Sequence, residues 1–129
     1  MIRSRWIPGP EPRGQGPVVV SLTDFRLHRA AHLPRACRTG WGLGSRWAEL
    51  DGAVGLWLWA EPWQRRIGSV SVWRMAADLA AFVRSPDHVA IMRAYRNRGT
   101  LVSVTWTSEA GDPWEEAWSS PRGAELRGV

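Results

Sequence analysis

The chain has 129 residues, of which 44% are hydrophobic and 22% are charged, and its formal net charge is +5. This balance is typical of one folded domain and excludes a disordered chain, and no run of about 18 apolar residues predicts a membrane span. Its one cysteine, Cys37, excludes an internal disulfide and a cysteine-cluster metal site, so we expect a cytoplasmic protein.

All 17 basic residues are arginines, and they are scattered among acidic residues along the chain. A nucleic-acid-binding surface usually gathers its cations into one patch, and an arginine-only composition is also typical of a GC-rich genome. We therefore do not expect nucleic acid to be a partner. The 10 tryptophans, by contrast, suit a pocket for a small, flat, hydrophobic ligand.

The chain divides into three parts. Residues 1–16 contain several prolines and glycines without hydrophobic periodicity, which predicts a flexible N-terminal arm. Residues 17–108 form the folded domain. Residues 109–129 form a C-terminal tail that begins acidic, and we expect this tail to lie across a partner chain through Trp114 and Trp118.

The domain begins with an apolar run that turns into an alternating pattern, and this predicts a strand over residues 18–27. A helix is predicted to begin near Pro34 and to continue towards Leu50, although each of three internal glycines weakens it by about 1 kcal/mol (Gly40, Gly42 and Gly44). A turn then leads to a strand over residues 53–60, in which Leu56 and Leu58 face one way and Trp57 and Trp59 the other.

The next strand, over residues 65–74, has one face of mixed polarity, as a surface facing a ligand would have. That face carries Ile67, Ser69, Ser71 and Trp73. A helix follows over residues 75–84, Ser85 can cap a second helix that has Pro86 at its first position, and Gly99 ends it. The last strand is predicted over residues 100–107.

The order of these elements is β-α-β-β-α-β with the second helix split in two. This is the ferredoxin-like plan of an α+β protein. Its single sheet carries helices on one face only, so the other apolar face needs a partner. We therefore expect a homodimer formed through the open face of the sheet.

Three motifs in this order resemble the dimeric α+β barrel superfamily, within the branch of antibiotic-biosynthesis and heme-degrading monooxygenases. They are SVSVW at residues 69–73, the helix AADLAAFVRS and SPDH at residues 85–88, and the resemblance covers roughly residues 17–108. It implies a small, cofactor-independent monooxygenase-like enzyme that acts on a hydrophobic aromatic or polyketide-like metabolite in natural-product biosynthesis. The same fold serves cyclases, isomerases, dehydratases and proteins that bind heme or another small ligand without turnover, and these remain alternatives.

Three residues are candidates for catalysis. The resemblance places Trp73 in the pocket at the end of the third strand, although a core tryptophan is the alternative. His88 shares one helical face with Met92 and Tyr95, and it is either a general base or a partly buried histidine bonded to a backbone carbonyl. Asp24 is a second possible base if it projects from the first strand towards the pocket.

The remaining pocket residues are candidates for substrate binding. Arg74 could bind a carboxylate or enolate oxygen of the substrate. The resemblance implies that the histidine that binds heme iron in heme-degrading relatives would stand at Met92, so we expect no cofactor and no heme degradation, with heme binding through His88 left as the alternative. His28 and His32 make only an incomplete metal site with Asp24, so we expect no metal either. The full predicted binding set is Trp57, Trp59, Ser69, Ser71, Arg74, Met92, Tyr95 and Trp106.

Overall fold

A computed structural model describes residues 1–14, 16–109 and 111–119, and within them six strands form one antiparallel sheet. The sheet order is β1-β4-β5-β3-β6, and β2 also pairs with β4. The α+β, ferredoxin-like plan with a split second helix is therefore confirmed. The strands are β1 (Ile2–Arg3), β2 (Ile7–Pro8), β3 (Val18–Leu27), β4 (Ala53–Glu61), β5 (Arg66–Trp73) and β6 (Gly99–Ser108), and the helices are α1 (Leu33–Gly44), α2 (Ala76–Val83), α3 (Pro86–Tyr95) and α4 (Pro113–Ser119).

The split between α2 and α3 follows from local chemistry. Ser85 has extended backbone angles, and its side-chain oxygen accepts a hydrogen bond from the backbone N–H of His88 at 3.3 Å. Pro86 occupies the first turn of α3, where its missing N–H leaves no helical hydrogen bond unmade. This N-cap fixes the direction of α3 and, with it, the position of His88.

The helix α1 continues through all three glycines and ends at Gly44, and Leu50 lies beyond the short 3₁₀ turn that follows. A Cβ atom on Gly44 would lie 3.1 Å from Cδ1 of Ile7 and 3.3 Å from Cδ1 of Leu58. Gly44 thus lets α1 approach the sheet closely.

The N-terminal segment is attached to the sheet, which differs from the flexible arm expected from its composition. Ile2 pairs with Ala60 and Ile7 pairs with Leu56, so β1 and β2 extend the sheet beyond β4. The indole of Trp6 occupies the space above Gly55, where a Cβ atom would overlap it. The edge of a sheet has unpaired N–H and C=O groups, which pair readily with a further strand. The space that Gly55 leaves for the Trp6 ring favours the pairing of the N-terminal segment with β4.

The two faces of the sheet carry different elements. The inner face supports α1, α2 and α3. The outer face carries a buried apolar cluster against which α4 packs, with the ring of Trp118 5.2 Å from that of Trp59. The outer cluster consists of Val18, Val20, Leu22, Val54, Trp59, Val70, Val72, Ala117 and Trp118.

This position of α4 corrects the expectation that the tail lies across a partner chain through Trp114 and Trp118. Both rings pack on the sheet of their own chain, since Trp114 lies 5.8 Å from Trp57. The face expected to be open is thus partly covered from within the chain. Val102 on the edge strand β6 remains 44% exposed. The rest of the predicted tail, residues 120–129, lies outside the described residues.

None of the helices within the described residues is long and apolar enough to cross a membrane.

Candidate functional site

A cavity of about 370 Å³ lies between the inner face of the sheet and the helices α1, α2 and α3. This volume is within the range of sites that bind small organic molecules. Hydroxyl side chains from the strands lie along its floor: Ser21, Thr23, Ser69, Ser71 and Ser103. Apolar side chains from the helices form most of its roof: Leu43, Leu79, Phe82, Ile91 and Met92.

The cavity wall bears no formal charge. Among the lining residues in the described part of the chain, none is Asp, Glu or Arg, and the titratable ones are Cys37, His88 and Tyr95. Burial raises the pKa of the Cys37 thiol, which keeps it neutral near pH 7. Placing a charge in such surroundings is costly unless it is paired. The cavity therefore suits an uncharged ligand that is mostly apolar.

His88 borders this cavity from the first turn of α3. Its Nδ1 lies 3.1 Å from the backbone oxygen of Val83. Because a carbonyl oxygen only accepts, Nδ1 carries the proton in the neutral ring, and the lone pair of Nε2 stays available. Burial lowers the pKa of His88 below its ordinary value, and the hydrogen bond to Val83 opposes this only in part. The side chain is thus a neutral base at physiological pH.

Tyr95 and Met92 line the cavity on the same side as His88. The hydroxyl of Tyr95 lies 3.1 Å from Oγ1 of Thr39, which donates its own proton to the backbone oxygen of Arg35 at 3.0 Å. Tyr95 must therefore be the donor to Thr39, and the lone pairs of its phenolic oxygen are left as acceptors. This arrangement offers a second fixed acceptor to a hydroxyl group of a ligand.

Trp73 supports the cavity wall from behind. It is completely buried, and its ring centroid lies 5.0 Å from that of Trp47 and 5.2 Å from that of Phe82, both of which border the cavity. Its Nε1 donates a hydrogen bond to Oγ of Ser71 at 3.0 Å. Trp73 itself does not line the cavity, but it is hydrogen-bonded to Ser71, which does.

Asp24 does not reach the cavity. Its side chain lies on the outer face, buried against Arg66, whose Nε is 3.1 Å from Oδ2 of Asp24. Desolvation raises the pKa of Asp24, and the hydrogen bond and positive charge of Arg66 act against that rise. In β3 the alternation of side chains turns Thr23 and Phe25 inwards, which places Asp24 on the opposite face.

The tryptophans predicted to bind the substrate, Trp57, Trp59 and Trp106, also belong to the outer face. Trp57 and Trp106 pack against the outer cluster, because Leu56 and Leu58 are the β4 residues that face inwards. Trp59 borders the cavity, but its ring packs against Trp118. Arg74 lies away from the cavity and donates from Nη1 to the backbone oxygen of Arg13 at 2.7 Å.

Several lining residues were not predicted as part of the site. Thr39 and Cys37 come from α1, and Thr23 comes from β3. Phe82 and Leu79 were recognisable from helical periodicity as inward-facing, but their position over a cavity depends on where α2 crosses the sheet. For Thr23, the signal was its alternation with Ser21, which places both on one face of the strand.

Comparison with known proteins supports the fold. The sequence matches no protein-family model and no curated protein. Among solved structures it is similar to SnoaB, a cofactor-independent oxygenase from Streptomyces nogalater, with 19% identity, a TM-score of 0.57, and coverage of 74% of this chain and 97% of that one. A protein from Nitrosomonas europaea, proposed to be an antibiotic biosynthesis monooxygenase, has 10% identity, a TM-score of 0.65, and coverage of 75% and 97%. A similarly described protein from Deinococcus radiodurans has 14% identity, a TM-score of 0.60, and coverage of 73% and 93%.

At these identities the likeness establishes the fold. The chain has the ferredoxin-like α+β fold of these three solved structures. The resemblance read from the motifs around Trp73 and His88 is thereby confirmed at the level of fold. The activity has to be argued from the cavity itself.

Proposed function

We propose that this protein is a small, cofactor-independent monooxygenase-like enzyme whose substrate is a hydrophobic aromatic or polyketide-like metabolite of natural-product biosynthesis. The observation that carries the proposal is the neutral imidazole of His88, held by Val83 with its Nε2 lone pair available at an uncharged, mostly apolar cavity. An electron-rich substrate can reduce O₂ itself once it has lost a proton. The protein then needs only a base, a dry pocket and groups that stabilise the anion.

The proposed reaction balances without a further reductant. His88 takes a proton from an acidic C–H or phenolic O–H of the substrate, and the resulting anion transfers one electron to O₂. The substrate radical and superoxide combine to form a C–O bond. Protonation of the peroxide and loss of water then convert a CH₂ group into a carbonyl, so that one oxygen atom enters the product and the other leaves in water.

The reaction can be tested with 1,8-dihydroxyanthrone, an electron-rich anthrone. We expect O₂ uptake above the rate without protein, and we expect ¹⁸O₂ to label one oxygen of the product. His88→Gln should lower this rate by about a hundredfold or more, which is the usual contribution of a general base. His28→Gln, which changes an exposed histidine outside the cavity, is the matched control and should retain the rate. A His88→Gln variant as fast as the wild type would refute the role of His88.

A cyclase, isomerase or dehydratase could use the same base and cavity without O₂. Turnover of a candidate metabolite under anaerobic conditions would identify such an activity and exclude the oxygenase. Heme binding without turnover is poorly matched by the lining, because heme propionates need cationic partners and the described lining residues include no arginine. Failure of added heme to shift its Soret band would exclude that alternative.

A homodimer remains part of the proposal. The edge strand β6 leaves Val102 44% exposed on the outer face, and unprotected edge strands with apolar side chains tend to pair with another chain. The helix α4 covers only part of the outer face. The uncovered region next to β6 is therefore where we place the contact between two copies.

A further inference from the structure

We propose that the Ser71 hydroxyl is the hydrogen-bond donor to the substrate oxygen on which negative charge develops, and that Trp73 is the residue that positions this hydroxyl. The proposal rests on the proposed function, because it assumes that an anion forms in the cavity. In this proposal Trp73 does not contact the substrate and acts on it through Ser71. It also distinguishes Ser71 from the other hydroxyls of the cavity floor.

The positions of the two side chains follow from β5. Ser71 and Trp73 are two residues apart on a strand, so both point to the inner face. Ser71 borders the cavity and is 6% exposed, whereas Trp73 is 0% exposed behind it. A ligand in the cavity can thus touch Ser71, while Trp47 and Phe82 hold the indole of Trp73 in place.

The hydrogen bonds of Ser71 leave its proton available. A serine hydroxyl has one donor and two acceptor positions. One acceptor position is taken by the indole Nε1 of Trp73 at 3.0 Å. The proton is directed at the backbone oxygen of Ser21 at 3.5 Å, which is too long for a strong O–H···O bond. A closer and more negative oxygen in the cavity would therefore attract the proton.

The indole N–H also makes the hydroxyl a better donor. A group that accepts one hydrogen bond while donating another is polarised by the first, so the two bonds strengthen each other. The effect is largest when the acceptor is ionised, as a phenolate or enolate oxygen is. The titratable groups that line the cavity are Cys37, His88 and Tyr95, and the described lining residues include no fixed positive charge that would replace this donor.

The experiment measures the pKa of 4-nitrophenol bound to the protein, from the absorbance of its phenolate. We expect Ser71→Ala to raise the pKa of the bound probe by about one unit relative to the wild type. This shift corresponds to about tenfold weaker binding of the phenolate, as is typical for one charge-assisted hydrogen bond. Binding of the neutral phenol should change much less.

Trp73→Phe keeps an aromatic ring in the core but removes the Nε1 donor. We expect it to move the pKa of the bound probe in the same direction by a smaller amount, equivalent to about threefold weaker phenolate binding. In the double variant the two shifts should not add, because Trp73 acts through Ser71. A merely structural role for Trp73 would weaken the binding of phenol and phenolate equally and leave the pKa unmoved.

Two exposed positions supply matched controls. Trp63→Phe and Ser45→Ala make the same chemical changes away from the cavity and should leave the bound pKa unchanged. The proposal is overturned if the wild type does not bind 4-nitrophenol, or if Ser71→Ala leaves the pKa of the bound probe unmoved. The expected shifts without any O₂ uptake would retain the roles of Ser71 and Trp73 and refute only the oxygenase.

Discussion

Replacing Trp118 with alanine tests whether α4 belongs to the core of its own chain. The Trp118 side chain is 5% exposed, and its ring lies 5.2 Å from that of Trp59 and 5.5 Å from that of Trp114. It also packs against the apolar cluster on the outer face. The variant removes this whole contact, while the polar groups of the α4 backbone are unchanged.

The expected loss of stability follows from the buried area. A tryptophan buries up to about 250 Å², and about 25 cal/mol per Å² gives about 6 kcal/mol as an upper limit. Measured substitutions of buried aromatic residues by alanine cluster at about 3–5 kcal/mol, and we expect Trp118→Ala to fall in that range. Trp63 is 94% exposed, so Trp63→Ala, the matched control, should change stability by less than about 0.5 kcal/mol.

Urea unfolding followed by circular dichroism is the suitable assay, because the signal reports the backbone and does not depend on the number of tryptophans. The free energy of unfolding is compared at several protein concentrations. A Trp118→Ala variant within about 1 kcal/mol of the wild type would refute the packing of α4 described above. A loss that shrinks on dilution would instead place the tail on a partner chain, since a contact between chains contributes less stability as the protein concentration falls.

Three further predictions concern other parts of the molecule. Gly42→Ala should stabilise the protein by about 0.5–1 kcal/mol in thermal unfolding, because the space around Gly42 is open. Gly44→Ala should destabilise it, because the added methyl group would meet Ile7 and Leu58. The reverse order of stabilities would contradict the placement of α1. NMR titration of His88 should give a pKa below the ordinary value of about 6.5, and a pKa above 6.5 would contradict the burial of this side chain. Because the neutral ring is the base, any activity should persist above the pKa of His88 and fall as the pH drops through it. Sedimentation at micromolar concentration should show a dimer, and a monomer there would refute the contact proposed at β6.

Much of the fold could be predicted from local patterns. The alternation along residues 18–27 and the Ser85-Pro86 cap each act over a few residues, and the structure places β3 and the start of α3 there. The predicted helix stop at Gly99 is wrong, because α3 ends at Tyr95 and Gly99 is the first residue of β6. The shared helical face of His88, Met92 and Tyr95 could also be predicted, since a helical spacing of four and three residues fixes it without tertiary contacts.

The sequence alone determined that one face of β5 would be of mixed polarity, because Ser69, Ser71 and Trp73 are two residues apart along the strand and share that face. Only the tertiary structure decided which face of each strand borders the cavity. Alternation says that Leu58 and Trp59 point in opposite directions, but both sides of this sheet are covered by apolar residues, so hydrophobicity does not distinguish them. The packing of α1 to α3 on one face and α4 on the other turned Asp24 away from the cavity and left His88 beside it.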